Sequence, residues 1–202
     1  MRLFKNILIV VVIMVVGWNS VYFAKLDEMK ASKALKEFDA GKYANEFWNN
    51  TLIPNLDKAV DIQELVSLMK TDEKKAFDNY SNALGIGNLK YFLVRGTAKI
   101  SYIDNDYITL DNNTTIATEF IFGNAVRDAS GLIDINDFVN TMDFNNVSAE
   151  INKIIRAKVL PSFKGNVKSG DTIEFTGAIE LNKQHVQLNN IEIIPIQLKI
   201  VK

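Results

Sequence analysis

The sequence predicts an α+β protein with an N-terminal membrane helix, a short helical region, and an OB-like, five-stranded, antiparallel and partly open barrel with one inserted helix. Three features predict this fold class. An uncharged apolar run fills most of residues 1–24, apolar residues recur at helical spacing over residues 25–90, and β-rich runs separated by turn residues occupy residues 91–202. We take these ranges as a membrane segment, a helical region and a barrel domain.

The composition excludes several functional classes. The 202 residues are 48% hydrophobic and 23% charged, which is enough apolar material for a folded core. Cysteine is absent, so thiolate nucleophiles and zinc–thiolate sites are excluded, and the single histidine, His185, excludes a multi-histidine metal site. A formal net charge of −1 gives no cationic field for nucleic acid. We therefore expect no catalytic residues, no metal, no cofactor and no nucleic-acid partner.

The first segment has the features of a membrane anchor. Ile7–Ala24 contains no charged residue, and its length falls within the ~17–25 residues that span a bilayer as a helix. Arg2 and Lys5 precede the run, so the positive-inside rule places the N-terminus in the cytoplasm and the rest of the chain in the periplasm. We expect a retained single-pass anchor in the cytoplasmic membrane, because cleavage after the run would put Tyr22 where a small residue is preferred. Secretion after signal cleavage is the alternative.

The helical region combines amphipathic spacing with helix-ending and helix-starting signals. Apolar residues from Leu26 to Phe38 lie near one helical face. Pro54 ends a second helix, and Asp61 followed by Glu64 resembles a capping box that starts a third. The sequence therefore predicts several short helices before the first long strand.

The barrel domain is predicted from five β-rich runs and one helical insertion. The runs cover residues 91–103, 107–110, 114–122, 172–181 and a last stretch that ends at Ile200. Between the third and fourth runs, Asn146 or Ser148 can cap a helix that ends before Pro161. Pro195 in the last run favours an edge strand or a bulge. Three strands, a helix and two strands is the element order of an OB-type barrel, and a small open α+β sheet is the alternative.

Five segments carry a resemblance to a known family. They are Lys25–Glu28, Phe38–Tyr43 leading to Trp48, Gly123–Asp128 followed by Asp137–Asn140, Gly170–Ala178, and Ile194–Leu198. Together they resemble the bacterial domain-of-unknown-function family 2291, whose members are described as predicted periplasmic lipoproteins and are often encoded beside ABC-type sugar-uptake systems. The resemblance implies an envelope accessory role with such a transporter as partner. The chain departs from the family in two ways, because it lacks the lipid-carrying cysteine and has Asn124 where threonine is expected.

The loop from Gly123 to Gly131 is the candidate ligand- or partner-binding site. Its terminal glycines allow the backbone to come close to a ligand, and Arg127 beside Asp128 could bind a carboxylate or phosphate through its fork of donors. Arg127 and Asp128 can instead form structural bonds that pin the loop to the barrel or the inserted helix. Trp48 is a further candidate, either packed with its aromatic neighbours in the core or facing a ligand.

These features predict a non-catalytic accessory or assembly factor of an ABC-type sugar-uptake system, attached to the inner membrane. Direct binding of a small sugar or anionic metabolite, through the Gly123–Gly131 loop and a barrel face, is the alternative. An enzyme that acts through carboxylates alone, as glycosidases do, is a third hypothesis, although no carboxylate pair is favoured by its spacing. The oligomeric state stays open.

Overall fold

A computed structural model describes residues 2–20, 38–83 and 87–201 of the chain. Two compact units are present, residues 1–38 and residues 39–202. The boundary predicted at residue 90 falls inside the second unit, where the helices that precede it and the strands that follow it share one hydrophobic core.

Helix α1 (Arg2–Ser20) carries the apolar run of the first unit. The apolar side chains of this helix whose exposure is described, at positions 4, 7–9, 11–16 and 18, are exposed, and Trp18 has 87% of its surface accessible. Among the described residues, no helix combines the length and the apolar character needed to cross a membrane. The predicted membrane-spanning helix is therefore not shown; its last residues, 21–24, lie outside the described part of the chain, as does most of the helix predicted from Leu26 onward.

Three short helices open the second unit. They are α2 (Ala40–Phe47), α3 (Ile62–Thr71) and α4 (Glu73–Tyr80), with a π-helical turn at Trp48–Leu52 and a 3-10 turn at Ile53–Lys58 between the first two. The Asp61 side chain accepts hydrogen bonds from the backbone N–H groups of Gln63 and Glu64, which confirms the predicted start of α3. Asp39 and Asp72 cap α2 and α4 in the same way.

Seven strands are found in the described residues of the second unit. They are β1 (Val60–Asp61), β2 (Ser81–Asn82), β3 (Leu89–Ile103), β4 (Tyr107–Leu110), β5 (Thr114–Ala117), β6 (Thr172–Asn182) and β7 (Ile191–Val201). The barrel strands follow the order β3–β4–β5–β7–β6. β3 pairs with β6 over its first eleven residues, 89–99, and with β4 over residues 100–103, so this long strand belongs to two sheets.

Two strand pairings are parallel, where the sequence analysis predicted an antiparallel barrel. Val60 of β1 pairs with Val94 of β3, and Thr114 of β5 pairs with Ile191 of β7. β5 and β7 run in the same direction because the helical insertion and β6 lie between them in the chain, and a long crossover of this kind permits parallel pairing. The prediction of a wholly antiparallel five-stranded barrel is therefore wrong on strand direction, and β1 and β2 were not predicted.

Two details of the strands depend on single residues. β5 ends at Ala117 and not at Phe122. Just past its end, the N–H of Thr118 donates to the Asp106 carbonyl in register with the β4–β5 pairing, and its hydroxyl donates to the Asn105 carbonyl, which fixes the β3–β4 turn to the end of the strand. The pairing register of β6 with β7 shifts at Gly177, opposite Pro195. This shift confirms the bulge predicted at the proline, which cannot donate to a strand ladder.

Helices α3 and α4 pack against the inside of the barrel. Leu65 of α3 and Phe77 of α4 are buried together with strand residues such as Phe92 and Ile173. The Phe77 and Phe92 ring centroids lie 5.5 Å apart. Burial of each such side chain stabilises the fold by about 1.5–3 kcal/mol, so the helices preceding the barrel contribute to the same core.

The insertion between β5 and β6 contains more helical structure than the single helix predicted. It comprises α5 (Ala125–Ser130), a 3-10 turn (Ile135–Asp137), α6 (Thr141–Ile154), a π-helical turn (Ile155–Val159) and α7 (Leu160–Lys164).

The long helix of the insertion, α6, is capped by Asn140, whose side chain accepts from the N–H of Asp143 at 2.8 Å. The predicted caps, Asn146 and Ser148, lie inside it. The buried apolar spacing begins at Phe144, and the three helical residues before it are not buried, so the apolar pattern does not mark the true start of the helix. Pro161 does not end the helical segment, since it stands in the first turn of α7, where its missing N–H costs no hydrogen bond.

Candidate functional site

Two glycines shape the loop that the sequence analysis singled out. Gly123 has φ +75° and Gly131 has φ +62°, both in the left-handed region that favours glycine. A Cβ at Gly131 would come within 2.8 Å of the Asn82 side chain. The carbonyl of Gly123 accepts a hydrogen bond from the side-chain amide of Asn152, at 2.8 Å. The loop therefore lies against α6 on one side and β2 on the other.

Arg127 is buried on α5 and most of its donors are already engaged. Its Nε donates to Asp128 Oδ1 at 2.7 Å, and its Nη1 donates to the Phe144 carbonyl at 3.2 Å and to the Asn145 side chain at 3.3 Å. The guanidinium carbon lies 3.6 Å from the centroid of the Phe144 ring. Asp128 is also buried, so the two charges neutralise each other inside the protein.

A hydrogen-bonded chain continues from this ion pair to the barrel. The Asn124 amide donates to the second carboxylate oxygen of Asp128 and accepts from the Tyr91 hydroxyl on β3, at 3.4 Å. Burial, and next the Glu180 carboxylate, raise the pKa of Tyr91 to about 12. The side-chain amide of Asn124 therefore donates and accepts at once, and links the ion pair to β3.

A cleft of about 450 Å³ lies between this loop and α6. We call it the arginine cleft. It is lined by Ile121, Phe122, Gly123, Asn124, Arg127, Asn145, Ser148, Ala149, Asn152 and Arg156. Two arginines and three asparagines contribute to its wall, which contains no carboxylate.

Arg156 is the exposed cation of the arginine cleft. Its Nη1 donates to the Ile121 carbonyl, and its guanidinium carbon lies 5.8 Å from the centroid of the Phe122 ring. Within the described residues, Arg156 forms no ion pair. Its charge therefore faces the cleft without an acidic neighbour to offset it.

Ser148 places an unsatisfied hydroxyl on the same wall. Its side chain is 6% exposed, and the hydroxyl has no hydrogen-bond partner in the described part of the chain. A helical serine normally donates to the carbonyl four residues earlier. The carbonyl four residues before Ser148 belongs to Phe144 and already accepts from Arg127. The Ser148 hydroxyl is therefore left without this acceptor.

Comparison with known proteins identifies the family. The family model described as "Predicted periplasmic lipoprotein (DUF2291)" matches residues 11–199. The chain belongs to the DUF2291 family. This description indicates a periplasmic, membrane-associated protein and confirms the resemblance found in the sequence.

The fold of this DUF2291 protein matches a solved structure. An OB-fold protein from Thermotoga maritima superimposes with a TM-score of 0.74 and 27% sequence identity, covering 82% of this chain and 99% of that one. The match confirms the OB-type, α+β character of the fold. No curated protein shows significant similarity to the chain.

Three of the four residues proposed as binding candidates lie together in the DUF2291 structure. Gly123 and Arg127 line the arginine cleft, and Asp128 supports Arg127 from behind. Trp48 is 6% exposed in its π-helical turn and does not line the cleft. Packing in the core, one of the two interpretations of Trp48, is thus the one that matches its position.

The sequence analysis missed the half of the cleft that comes from the insertion. Ser148, Asn152 and Arg156 follow each other at intervals of four residues, so they lie along one face of α6 and its π-helical turn. A polar stripe at this spacing, next to the apolar positions Val147 and Ile151, was the available signal.

We expect Arg127→Ala to lower the free energy of unfolding by about 3 kcal/mol or more, because it leaves the Asp128 carboxylate buried without its partner. Urea unfolding followed by circular dichroism measures this change. Arg95→Ala, which removes an exposed arginine from β3, is the matched control and should change stability by less than about 0.5 kcal/mol. Equal losses in both variants would contradict the structural role of Arg127.

Tyr91 should make the protein less stable at alkaline pH. Because its pKa is about 12 in the folded state against 10.0 ordinarily, the folded protein keeps a proton that the unfolded chain loses between these values. The contribution is complete below pH ~10 and is lost as the pH rises towards ~12, by up to about 3 kcal/mol.

Tyr91→Phe removes this titration, so the stability difference between wild type and variant should shrink or reverse over the same interval. Tyr102→Phe, which removes the hydroxyl of an exposed ring, is the control variant. A difference between wild type and Tyr91→Phe that stays constant with pH would refute the expectation.

Proposed function

We propose that this protein is a non-catalytic binding protein of the periplasm, which holds a small polar ligand in the arginine cleft. The observation that carries the proposal is the Ser148 hydroxyl, buried and without a partner on the cleft wall. A buried hydroxyl left unsatisfied costs about 1–3 kcal/mol. A ligand that accepts from this hydroxyl recovers the loss, and the bond is available only when the cleft is occupied.

The composition of the cleft supports binding over catalysis. Among the described residues that line the cleft, Ser148 carries the one hydroxyl, and no histidine or carboxylate stands beside it to act as a base. The guanidinium groups of Arg127 and Arg156 carry only hydrogen-bond donors and no acceptor atom, so they cannot take its proton. The amide groups of Asn145 and Asn152 are suited to orienting a polar ligand.

A second concave surface gives less support for a ligand. It lies on the outer face of the barrel, where Arg95 and Lys199 are accompanied by Asp61 and Glu174. Lys199 and Glu174 already form an ion pair at 3.5 Å. Charges of both signs are mixed there, as on an ordinary solvated sheet face, so the arginine cleft is the better candidate.

Membrane attachment is the second part of the proposal. We propose that the apolar segment at residues 1–24 tethers the chain as a single-pass anchor, with its N-terminus in the cytoplasm and the second unit in the periplasm. The charge-free run after Arg2 and Lys5 supports this arrangement, as does the absence of a cysteine for lipid attachment.

We also propose that the protein serves an ABC-type sugar-uptake system as an accessory or assembly factor. Support for this partner comes from the family resemblance alone. Crosslinking in intact membranes, followed by purification of the chain and mass spectrometry, should recover a transporter subunit or its binding protein. Recovery of the chain from the membrane fraction without any transport component would refute the partner.

The binding proposal is tested by unfolding the full chain in the presence of sugars, sugar acids and sugar phosphates. A compound present at about 100 times its dissociation constant should stabilise the folded state by about 2.7 kcal/mol. Ser148→Ala should leave the unliganded protein as stable as wild type or slightly more stable, because it removes an unsatisfied hydroxyl, and it should reduce the ligand-induced stabilisation.

Ser162→Ala is the matched control for Ser148→Ala. Its hydroxyl is exposed and donates to the carbonyls of Lys158 and Val159, outside the arginine cleft. This variant should keep the full response to ligand. The binding proposal fails if no compound stabilises the wild type, or if Ser148→Ala and Ser162→Ala respond alike.

A further inference from the structure

We infer that the ligand of the arginine cleft is an oxyanion, a small molecule with a carboxylate or phosphate group, and that Arg156 is the residue that binds this group. The inference rests on the proposed function and narrows its ligand class. It follows from the charge of the cleft, the way Arg156 is held, and the exposed ring beside it.

The charge of the arginine cleft is positive. Arg127 is offset by Asp128, which lies behind it at 2.7 Å and does not line the cleft. Arg156 has no acidic partner in the described residues, and no carboxylate is present on the wall. A neutral sugar would leave this charge unmatched, whereas an oxyanion would neutralise it.

Arg156 is held in place before any ligand arrives. One N–H of its Nη1 is bonded to the Ile121 carbonyl, which fixes the guanidinium plane at the cleft wall. A guanidinium has five N–H donors in a planar fork, so four remain for a ligand. Because its guanidinium is already held in position, the Arg156 side chain loses less conformational entropy when it binds two oxygens of a carboxylate or phosphate.

The hydroxyl of Ser148 adds a donor on the same face. Ser148 and Arg156 are separated by eight residues, about two helical turns, and both line the cleft. The side-chain oxygen of Asn145 is occupied by Arg127, so the amide nitrogen of Asn145 is its remaining polar group. The wall therefore offers mainly donors, which is the arrangement that an acceptor-only group such as a carboxylate requires.

Phe122 provides a flat apolar surface next to the cation. Its ring is 68% exposed at the cleft, and the neighbouring Phe120 ring is 50% exposed with its centroid 6.5 Å away. Large apolar rings left exposed at a polar cleft indicate a surface that a ligand covers. The ligand thus joins an oxyanion to a body with an apolar face, such as a sugar ring.

The test measures binding of glucose, glucuronate and glucose 6-phosphate to the full chain in detergent, with inorganic phosphate as the simplest probe. The three sugars share one ring and differ in the charged group. At least one anion should bind, and glucose should bind at least about tenfold more weakly. Arg156→Gln should weaken anion binding by about tenfold or more, while Lys158→Gln, a cation outside the cleft wall, should leave it unchanged.

Two further arms complete the design. Phe122→Ala should weaken binding of the charged sugars and leave inorganic phosphate unaffected.

Glycerophosphoglycerol, the deacylated head group of an anionic phospholipid, is compared with glucose 6-phosphate, and tighter binding of the head group would assign the oxyanion to a lipid. Either source satisfies the inference, provided that Arg156→Gln weakens the binding by about tenfold or more.

The outcomes separate this inference from the proposed function. Binding of glucose as tight as that of its charged counterparts, with loss in Ser148→Ala and none in Arg156→Gln, overturns the oxyanion and keeps the cleft as a binding site. Failure of every probe to bind overturns the oxyanion and counts against the proposed function as well.

Discussion

The buried ion pair between Arg127 and Asp128 is the interaction on which the rest of the site depends. Two charges can remain inside a protein only when they are paired and their other polar atoms are bonded. Here those bonds run to the Phe144 carbonyl on α6 and, through Asn124, to Tyr91 on β3. One pair therefore connects the insertion to the barrel, and its hydrogen bond to the Phe144 carbonyl leaves the Ser148 hydroxyl without that acceptor.

The five strands β3 to β7 and the early helix caps were predictable because their signals are local. Asp61 caps α3 through N–H groups two and three residues away, and the bulge at Pro195 follows from a missing donor. The direction of β7 beside β5 was not predictable, because pairing across more than seventy residues depends on where the crossover returns the chain. The start of α6 was missed because the three helical residues before Phe144, its first buried side chain, are not buried and do not belong to the apolar pattern.

Only the part of the candidate site whose signals are local could be predicted from the sequence. Gly123 and Arg127 stand in one recognisable segment, so the loop could be identified from the sequence. Arg156 is 35 residues away from its bonding partner Ile121, and only the fold brings the two together. A polar stripe on a helix ordinarily indicates a solvated face, and the burial of Ser148 and Asn152 is a property of the packing.

The π-helical turn Ile155–Val159 lies in a helical segment that packs against the core on one side and lines the cleft on another. Val147, Ile151 and Ile154 bury the core side of α6, and continuing their four- and three-residue spacing would place the next core residues at 158 and 161, two positions before Leu160 and Phe163, which are the residues buried. The wider π-helical turn moves the core side in this direction while Arg156 stays at the cleft. Gain or loss of one residue in this turn would therefore change which side chain faces the cleft, while the strands of the barrel keep their pairing.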